Sequence, residues 1–424
     1  MKKEQRQKMD GITTEERDLR RKRLAVIGGS TIREEVDFCA EKYGFDVIYF
    51  KFSKSSVSDL LFYILNKTVP RLTEYLMKAR RIDGILLITA ERIIRRNIPW
   101  LSRSGYFFYV TQPQWDVLMD KRRFGEFAAQ FGLPGIPEYR IDPASLGLAE
   151  GTVFPVVIKP AKGSGSSGIK ICHNLEELNK ELSGSRGKLP ICQKYLEGPY
   201  FQFEIWIQDG KAFFPYVKDR VFYPSVDNGP PQPFIDFYPS VNRELVASCL
   251  FDKIEKVMDS LNVKNGSCMF QGIIDHGTPY IMDTAFRVSG GLDYKVVRKE
   301  TDIDLIEAHI LYALRKHFGN DFSRLEEPYH QAYATLCVGL KNGTISKIEG
   351  VDEIRKKPYV FNLHQYYDIG HRVTTSGLFS QTGIRVFLMD TDREKLKADI
   401  KDVLIILRID DKAGRSLLLD YPEF

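Results

Sequence analysis

Residues Phe154 to Asn174 read FPVVIKPAKGSGSSGIKICHN, two apolar, β-branched runs joined by a glycine- and serine-rich loop that does not open a helix. The context carries more than the glycines. A loop of Gly163, Ser164, Gly165, Ser166, Ser167 and Gly168 presents unobstructed backbone N–H groups and hydroxyls, a surface suited to wrapping phosphate oxygens. Lys159 ends the incoming strand and adds a point charge. A Walker-type loop needs Gly-Lys-Ser/Thr leading into a helix, and a dinucleotide fingerprint needs its glycines at a strand-to-helix turn; neither pattern is present. Read alone, such a segment is more often a hairpin tip.

Upstream, LAVIGGS from Leu24, an amphipathic stretch over Ile32 to Tyr43 and DVIYF at Asp46 to Phe50 predict a strand, a helix and a parallel strand. Further strands are expected at Ile85 to Thr89 and Tyr106 to Val110, making residues 24–112 a small open parallel α/β domain. Gly28 and Gly29 invite a nicotinamide reading, but the third glycine is missing and Tyr49-Phe50-Lys51 offers no acidic ribose ligand. One helix is expected from Pro113 to Phe131. Downstream of the glycine loop, Ile191 to Gly198 and Phe201 to Val217 read as strands of an antiparallel lid spanning about 150–215, with a hairpin turn at Asp209-Gly210. Residues 219–240, rich in Pro, Asp, Asn and aromatics, read as a long functional loop. A helix over Arg243 to Leu261 then leads to the strands CMFQGIID and PYIMDTAF, joined at His276-Gly277. The expected divisions are 1–23, a basic leading helix; 24–112; 113–325; and 326–424, a C-terminal α+β part.

With 424 residues, 43% hydrophobic and 28% charged, the chain reads as an ordinary globular protein of several subdomains. No apolar run approaches the ~18 residues that span a bilayer, so a membrane is excluded as partner and a cytoplasmic location is expected. The six cysteines are scattered, suggesting neither a disulfide framework nor a zinc site. Residues 1–23 hold nine Lys/Arg against five Asp/Glu, but a capping box at Thr13 to Glu16 makes them a solvated helix, and no nucleic-acid module accompanies them.

Several positions fall in one order: Asp120-Lys121; Lys159 with the glycine loop; Gln193-Lys194-Tyr195-Leu196; Glu204; Gln271; and Asp283 to Gly291. In that order most of the chain resembles the ATP-grasp superfamily, in the branch of carbamoyl phosphate synthase large-subunit domains and L-amino-acid ligases. The resemblance implies a mixed α/β and α+β fold with a parallel N-terminal domain, an antiparallel lid and a C-terminal α+β subdomain. It implies ATP, gripped by Lys121 and Lys159 beneath the glycine loop, with adenine against Gln193 to Leu196 and the ribose on Glu204. It further implies magnesium, or manganese in its place, on Gln271 and Asp283, with Arg287 holding the transferred phosphoryl group. Ala285 stands where the family has a metal-binding Asn, and an alanine side chain cannot coordinate magnesium.

The chemistry expected is phosphorylation of a carboxylate to an acyl phosphate, with Lys159 and Arg287 in catalytic roles, followed by attack of an amine. Ser289, Gly290 and Gly291 are the expected acyl-acceptor side, and Arg220, with Tyr223 and Phe237 beside it, the specificity segment. Expected partners are small carboxylate and amine substrates and a second copy of the chain in a homodimer. Two alternatives stay open: a carboxylase or carbamoyl-phosphate-type enzyme, and an ATP-binding module with impaired catalysis.

Overall fold

In a computed structural model the chain is described over residues 19–28, 30–50, 62–64, 66, 70–141, 151–161, 168–183, 190–224, 232–315, 317–318, 321–374 and 381–424. Residues 1–18 of the leading helix expected over 1–23, most of the glycine loop (Gly163, Ser164, Gly165, Ser166 and Ser167) and residues 225–231 lie outside the described residues.

The N-terminal layer is a parallel sheet of order β2-β1-β3, from β1 (Arg23–Ile27), β2 (Asp46–Phe50) and β3 (Gly84–Leu86), with helix α1 (Arg33–Tyr43) between the first two. Helices α2 (Pro70–Ala79) and α3 (Glu91–Ser104) follow. The strand expected at Tyr106 to Val110 does not form. Its aromatics engage in ring contacts instead of a ladder, Tyr109 meeting Phe286 and His309 edge-on. The single helix expected over 113–131 is two, α4 (Gln112–Leu118) and α5 (Lys121–Ala129). Asp120 breaks it: its Oδ1 accepts from the backbone N–H groups of Arg122 and Arg123, 3.2 Å each, capping α5.

The quoted stretch forms β4 (Val156–Lys159) and β5 (Lys170–Cys172), which with helix α6 (Leu175–Ser183) and β6 (Ile191–Lys194) make a small antiparallel sheet of order β5-β4-β6 around Val156, Ile158, Leu178 and Leu182. β7 (Tyr200–Gln208) and β8 (Lys211–Phe222), expected in this lid, belong elsewhere. They run in an eight-stranded antiparallel sheet, β11-β10-β7-β8-β9-β12-β17-β15, completed by β9 (Pro233–Tyr238), β10 (Gly266–Asp275), β11 (Thr278–Ala285), β12 (Ala332–Gly339), β15 (Val360–Gln365) and β17 (Thr382–Asp390). Of the loop expected over 219–240, the described residues are therefore mostly strand. Its Tyr223 and Phe237 are core residues, and the Arg393 guanidinium covers the Phe237 ring at 4.2 Å.

Helix α7 (Arg243–Ser260) packs on β8 and β11, and α8 (Tyr294–Thr301) follows β11. Helix α9 (Leu305–Arg315) returns to the N-terminal layer and packs on α1, β1 and β3. Lys42 Nζ reaches Glu307 Oε1 of α9 at 2.9 Å, and Lys22 Nζ donates to the Leu314 carbonyl at 3.1 Å. The two-stranded pairs β13 (Gly343–Thr344) with β16 (Arg372–Val373) and β14 (Lys347–Glu349) with β18 (Arg408–Asp410), the short α10 (Val351–Arg355), and α11 (Arg393–Ile406) against β12 and β17 finish the C-terminal part.

One irregularity in the large sheet bears on the site. The β10–β11 register shifts between Gln271 and Gly272, a bulge that re-aims the side chain before it. A Cβ at Gly272 would lie 2.2 Å from the Phe201 ring and 2.4 Å from the Tyr280 carbonyl oxygen. Gly272→Ala is therefore expected to cost about 1–3 kcal/mol of stability, read from the denaturant midpoint. A midpoint equal to wild type would show that the strands open without strain.

Candidate functional site

The strand pairing that follows from the bulge puts Gln271 opposite Asp283, so both side chains emerge on one face of the sheet. The α4–α5 turn is tied to β11: Thr284 Oγ1 donates to the Leu118 carbonyl, and the Phe286 N–H meets Met119 Sδ at 3.1 Å. This brings Lys121, first residue of α5, within 2.9 Å (Nζ to Oδ1) of Asp283. Lys159 arrives from the small sheet at the end of β4 and donates from Nζ to the Met282 carbonyl at 3.1 Å. Burial pulls its pKa down to about 8, with Asp283 opposing and Lys121 reinforcing.

These groups wall one cavity of about 220 Å³ together with Tyr195, Arg220, Gln271, Arg287, Ser289, Gly290 and Gly291. A second hollow of about 310 Å³ shares Lys121, Lys159 and Asp283 and adds Gln193 and Glu138. Of the expected adenine-side residues, Gln193 and Tyr195 thus face cavities. Lys194 points its ammonium to Asp275 Oδ2 at 3.2 Å, Leu196 is buried, and the Tyr195 N–H donates to the Pro155 carbonyl at 3.3 Å. Gly168 stands at the edge of the small sheet with a left-handed φ of 78°.

Glu204 requires a correction. It is 0% exposed and lies outside the wall of either cavity, so the ribose contact expected of it has no path. Its carboxylate accepts from the Ser289 N–H at 3.0 Å and the Tyr216 hydroxyl at 3.2 Å, and burial followed by the charge of Asp293 raises its pKa to about 7. Glu204 positions the Ser289–Gly291 turn. That turn is also shaped from below, because a Cβ on Gly291 would sit 2.6 Å from Asp293 Oδ2.

Two groups that the sequence did not announce complete the site. Glu91, first residue of α3, accepts from Arg287 Nη2 at 3.1 Å and Nε at 3.3 Å, fixing the guanidinium across the N-terminal layer. Burial raises its pKa against the pull of Arg287. Beneath the cavity floor, Lys218 is wholly buried between Asp293 Oδ1 at 2.5 Å and Asp236 Oδ2 at 2.8 Å. Asp293 also holds Ser289 Oγ at 2.5 Å and Gln202 Nε2 at 3.2 Å, and Gln202 Oε1 accepts from Gln271. The network therefore runs from the core to the cavity wall. A charge amid an apolar run, as in FQFEIWI or AFFPYVKDRVF, is the signal that marks such residues, because buried charges occur almost only when paired.

As donors for a divalent cation, Asp283 and Gln271 supply a carboxylate and a carbonyl oxygen on one face, a set that suits magnesium completed by phosphate oxygens. Ala285, 2% exposed on the same strand, adds nothing to it. Among the described residues no cluster of three or more His, Cys, Asp or Glu could hold a metal by itself. No helix among them is long and apolar enough to cross a membrane.

Residues 120–192 match the family model described as carbamoyl-phosphate synthase L chain, ATP binding domain. The chain is 25% identical over 282 residues to dapdiamide A synthase of Enterobacter agglomerans, covering 60% of this chain and 63% of that one. It spans less than two thirds of the length of the curated relatives it matches. Among solved structures, an L-amino acid ligase from Bacillus licheniformis aligns over 93% of this chain and 99% of its own with a TM-score of 0.76 at 16% identity. The biotin carboxylase domain of the Hydrogenobacter thermophilus 2-oxoglutarate carboxylase, in complex with MgADP and bicarbonate, aligns over 94% and 91% with a TM-score of 0.70 at 14% identity. At these identities the structural likeness establishes the fold, parallel N-terminal layer, small antiparallel lid sheet and large sheet included. With the matched segment and the curated relatives beside it, the chain is similar to ATP-grasp proteins and has their fold.

Proposed function

We propose that the chain is an ATP-dependent carboxylate–amine ligase that activates its carboxylate as an acyl phosphate and releases ADP and phosphate. The observation that carries this reading is the meeting of Lys121 and Lys159, from separate layers, with Asp283 and Arg287 on one cavity wall. Two cations from opposite sides suit a triphosphate, and a guanidinium held by Glu91 suits the phosphoryl group in transit. Asp283 and Gln271 would hold a magnesium or manganese ion, whose chemistry is to neutralise charge on phosphate oxygens. A carboxylate resists amines because its charge repels them and oxide leaves poorly; phosphorylation removes both obstacles. The Ser289–Gly291 turn, fixed by Glu204 and Asp293, offers backbone groups to the acyl end. The small sheet that carries Lys159 is assigned to the lid that excludes water from the acyl phosphate.

A second reading, an ATP-binding module without turnover, is favoured by Ala285 alone. ADP release across a panel of amino acids and simple carboxylates, alongside thermal shift with ATP and magnesium, decides between them. The ligase reading expects ATP to raise the melting temperature and a subset of the panel to stimulate ADP formation. Tight ATP binding with no stimulation anywhere in the panel would overturn it in favour of the module. Incorporation of labelled bicarbonate would instead assign a carboxylase.

A further inference from the structure

The cavity has a cationic end that the phosphate chemistry does not use. Arg220 of β8 and Arg385 of β17 both line it, with Gly290, Thr382 and Cys337 beside them. Arg220 is fixed by its Nε–H to Asp236 Oδ1 at 2.9 Å. Arg385 is 4% exposed, donates from Nη1 to the neutral Gly290 carbonyl at 3.2 Å, and its Nε has no partner among the described residues. No carboxylate among the described residues forms an ion pair with it. Among the described residues, Asp236 and Asp293 are the carboxylates ion-paired with Lys218 and Arg220, and neither is ion-paired with Arg385. A buried guanidinium without a counter-charge is strongly unfavourable, and an incoming anion supplies what the fold withholds. The same cavity is also lined by the apolar and aromatic side chains of Val157, Ile171, Tyr200 and Phe222.

We propose that Arg220 and Arg385 form a second anion subsite in this cavity, so that the carboxylate activated at the Lys121–Lys159–Arg287 end belongs to a substrate bearing another carboxylate. The inference rests on the ligase reading for the activated end, but the subsite itself rests on Arg385. A carboxylate bridging the two guanidiniums pairs the orphaned Nε and orients the substrate with its far end toward the phosphoryl donor.

The test uses the full chain with magnesium and a nonhydrolysable ATP analogue, titrated with L-glutamate, L-aspartate and glutarate against the neutral-tailed L-glutamine, L-norvaline and butyrate. Compounds with the anionic tail should raise the melting temperature at concentrations roughly tenfold or more below their neutral counterparts. Arg385→Met should melt at or above the wild-type temperature without ligand, keep the shift given by the ATP analogue, and lose that tenfold preference; Arg385→Lys should keep part of it. Neutral tails binding as well as anionic ones would overturn the proposal, as would unchanged dicarboxylate binding by Arg385→Met. Loss of analogue binding in Arg385→Met would also overturn it, by assigning Arg385 to the triphosphate. L-phosphoserine displacing L-glutamate at lower concentration would move the tail from carboxylate to phosphate and overturn the carboxylate assignment. Absence of any analogue shift in the wild-type chain would instead remove the ATP reading, and calorimetric titration with glutarate alone would still decide the subsite.

Discussion

Replacing Lys159 with methionine should lower ATP turnover by about 10²- to 10³-fold while the protein remains folded, because one of two cations aimed at the phosphate position is removed from a water-poor site. The side chain is 6% exposed and its ammonium donates to a backbone carbonyl, so methionine fills its volume and releases an acceptor that water can satisfy. Steady-state ADP release beside a melting curve checks this. Activity within a few-fold of wild type would remove Lys159 from the site. Its acid–base behaviour gives an independent handle. With the pKa drawn down from the ordinary 10.5 to about 8 by burial, the ammonium is charged in both folded and unfolded chains below pH 8, and the burial penalty is present in full. Between about 8 and 10.5 the unfolded chain holds the proton and the folded one does not, so this group's contribution to stability rises with pH across that window. Nucleotide binding has the opposite slope: phosphate favours the charged form, so affinity falls above pH 8 and binding near pH 8.5 takes up a proton. Calorimetric titration in buffers of different ionisation enthalpy measures that uptake, and Lys159→Met should abolish it.

Asp293→Asn should destabilise the chain by about 3–5 kcal/mol, the effect expected when a buried ion pair loses one partner and strands the other. Asp293 is the hub of the network below the cavity. Lys218 sits 2.5 Å away with no exposure, and the Tyr238 hydroxyl, Ser289 Oγ and Gln202 Nε2 converge on the same carboxylate. Although burial opposes ionisation, Lys218 and these donors hold its pKa below the ordinary carboxylate value. Asparagine keeps the shape and loses the charge, leaving Lys218 and Arg220 to share Asp236. A guanidinium chloride midpoint near that of wild type would show that the network reorganises at little cost. Where the variant still folds, the loosened Ser289 turn should also impair turnover.

Much of this site was readable along the chain, and the failures have physical causes. The β4–β5 strand pair and the β10–β11 hairpin follow from local alternation and turn chemistry, whereas the Gln271–Asp283 pairing depends on the bulge, which alternation does not show. Lys159 stands out because it ends the strand before the glycine loop, whereas Lys121, inside the single helix expected over 113–131, is named through the family resemblance alone. By contrast, Arg385 and Glu91 reach the cavity from elements separated in sequence from the motifs, and no local pattern reports a tertiary convergence. Glu204 reads as a ribose ligand through the resemblance, but β7 is buried on both faces, where an acidic residue amid apolar neighbours serves the core instead of a ligand. Residues 219–240 read as a loop on their Pro, Asp and Asn content, yet KDRVF and PFIDFY carry the alternation of strands that hide charges on their inner face.

The return of α9 to the N-terminal layer has a consequence for biosynthesis. β1 to β3 emerge from the ribosome first, but the apolar helix that covers them, Leu305–Arg315, follows about 220 residues after β3, some tens of seconds at about 5–20 residues per second. Through that interval the nascent sheet keeps a sticky flank, which makes it a natural client for a chaperone stationed at the exit tunnel.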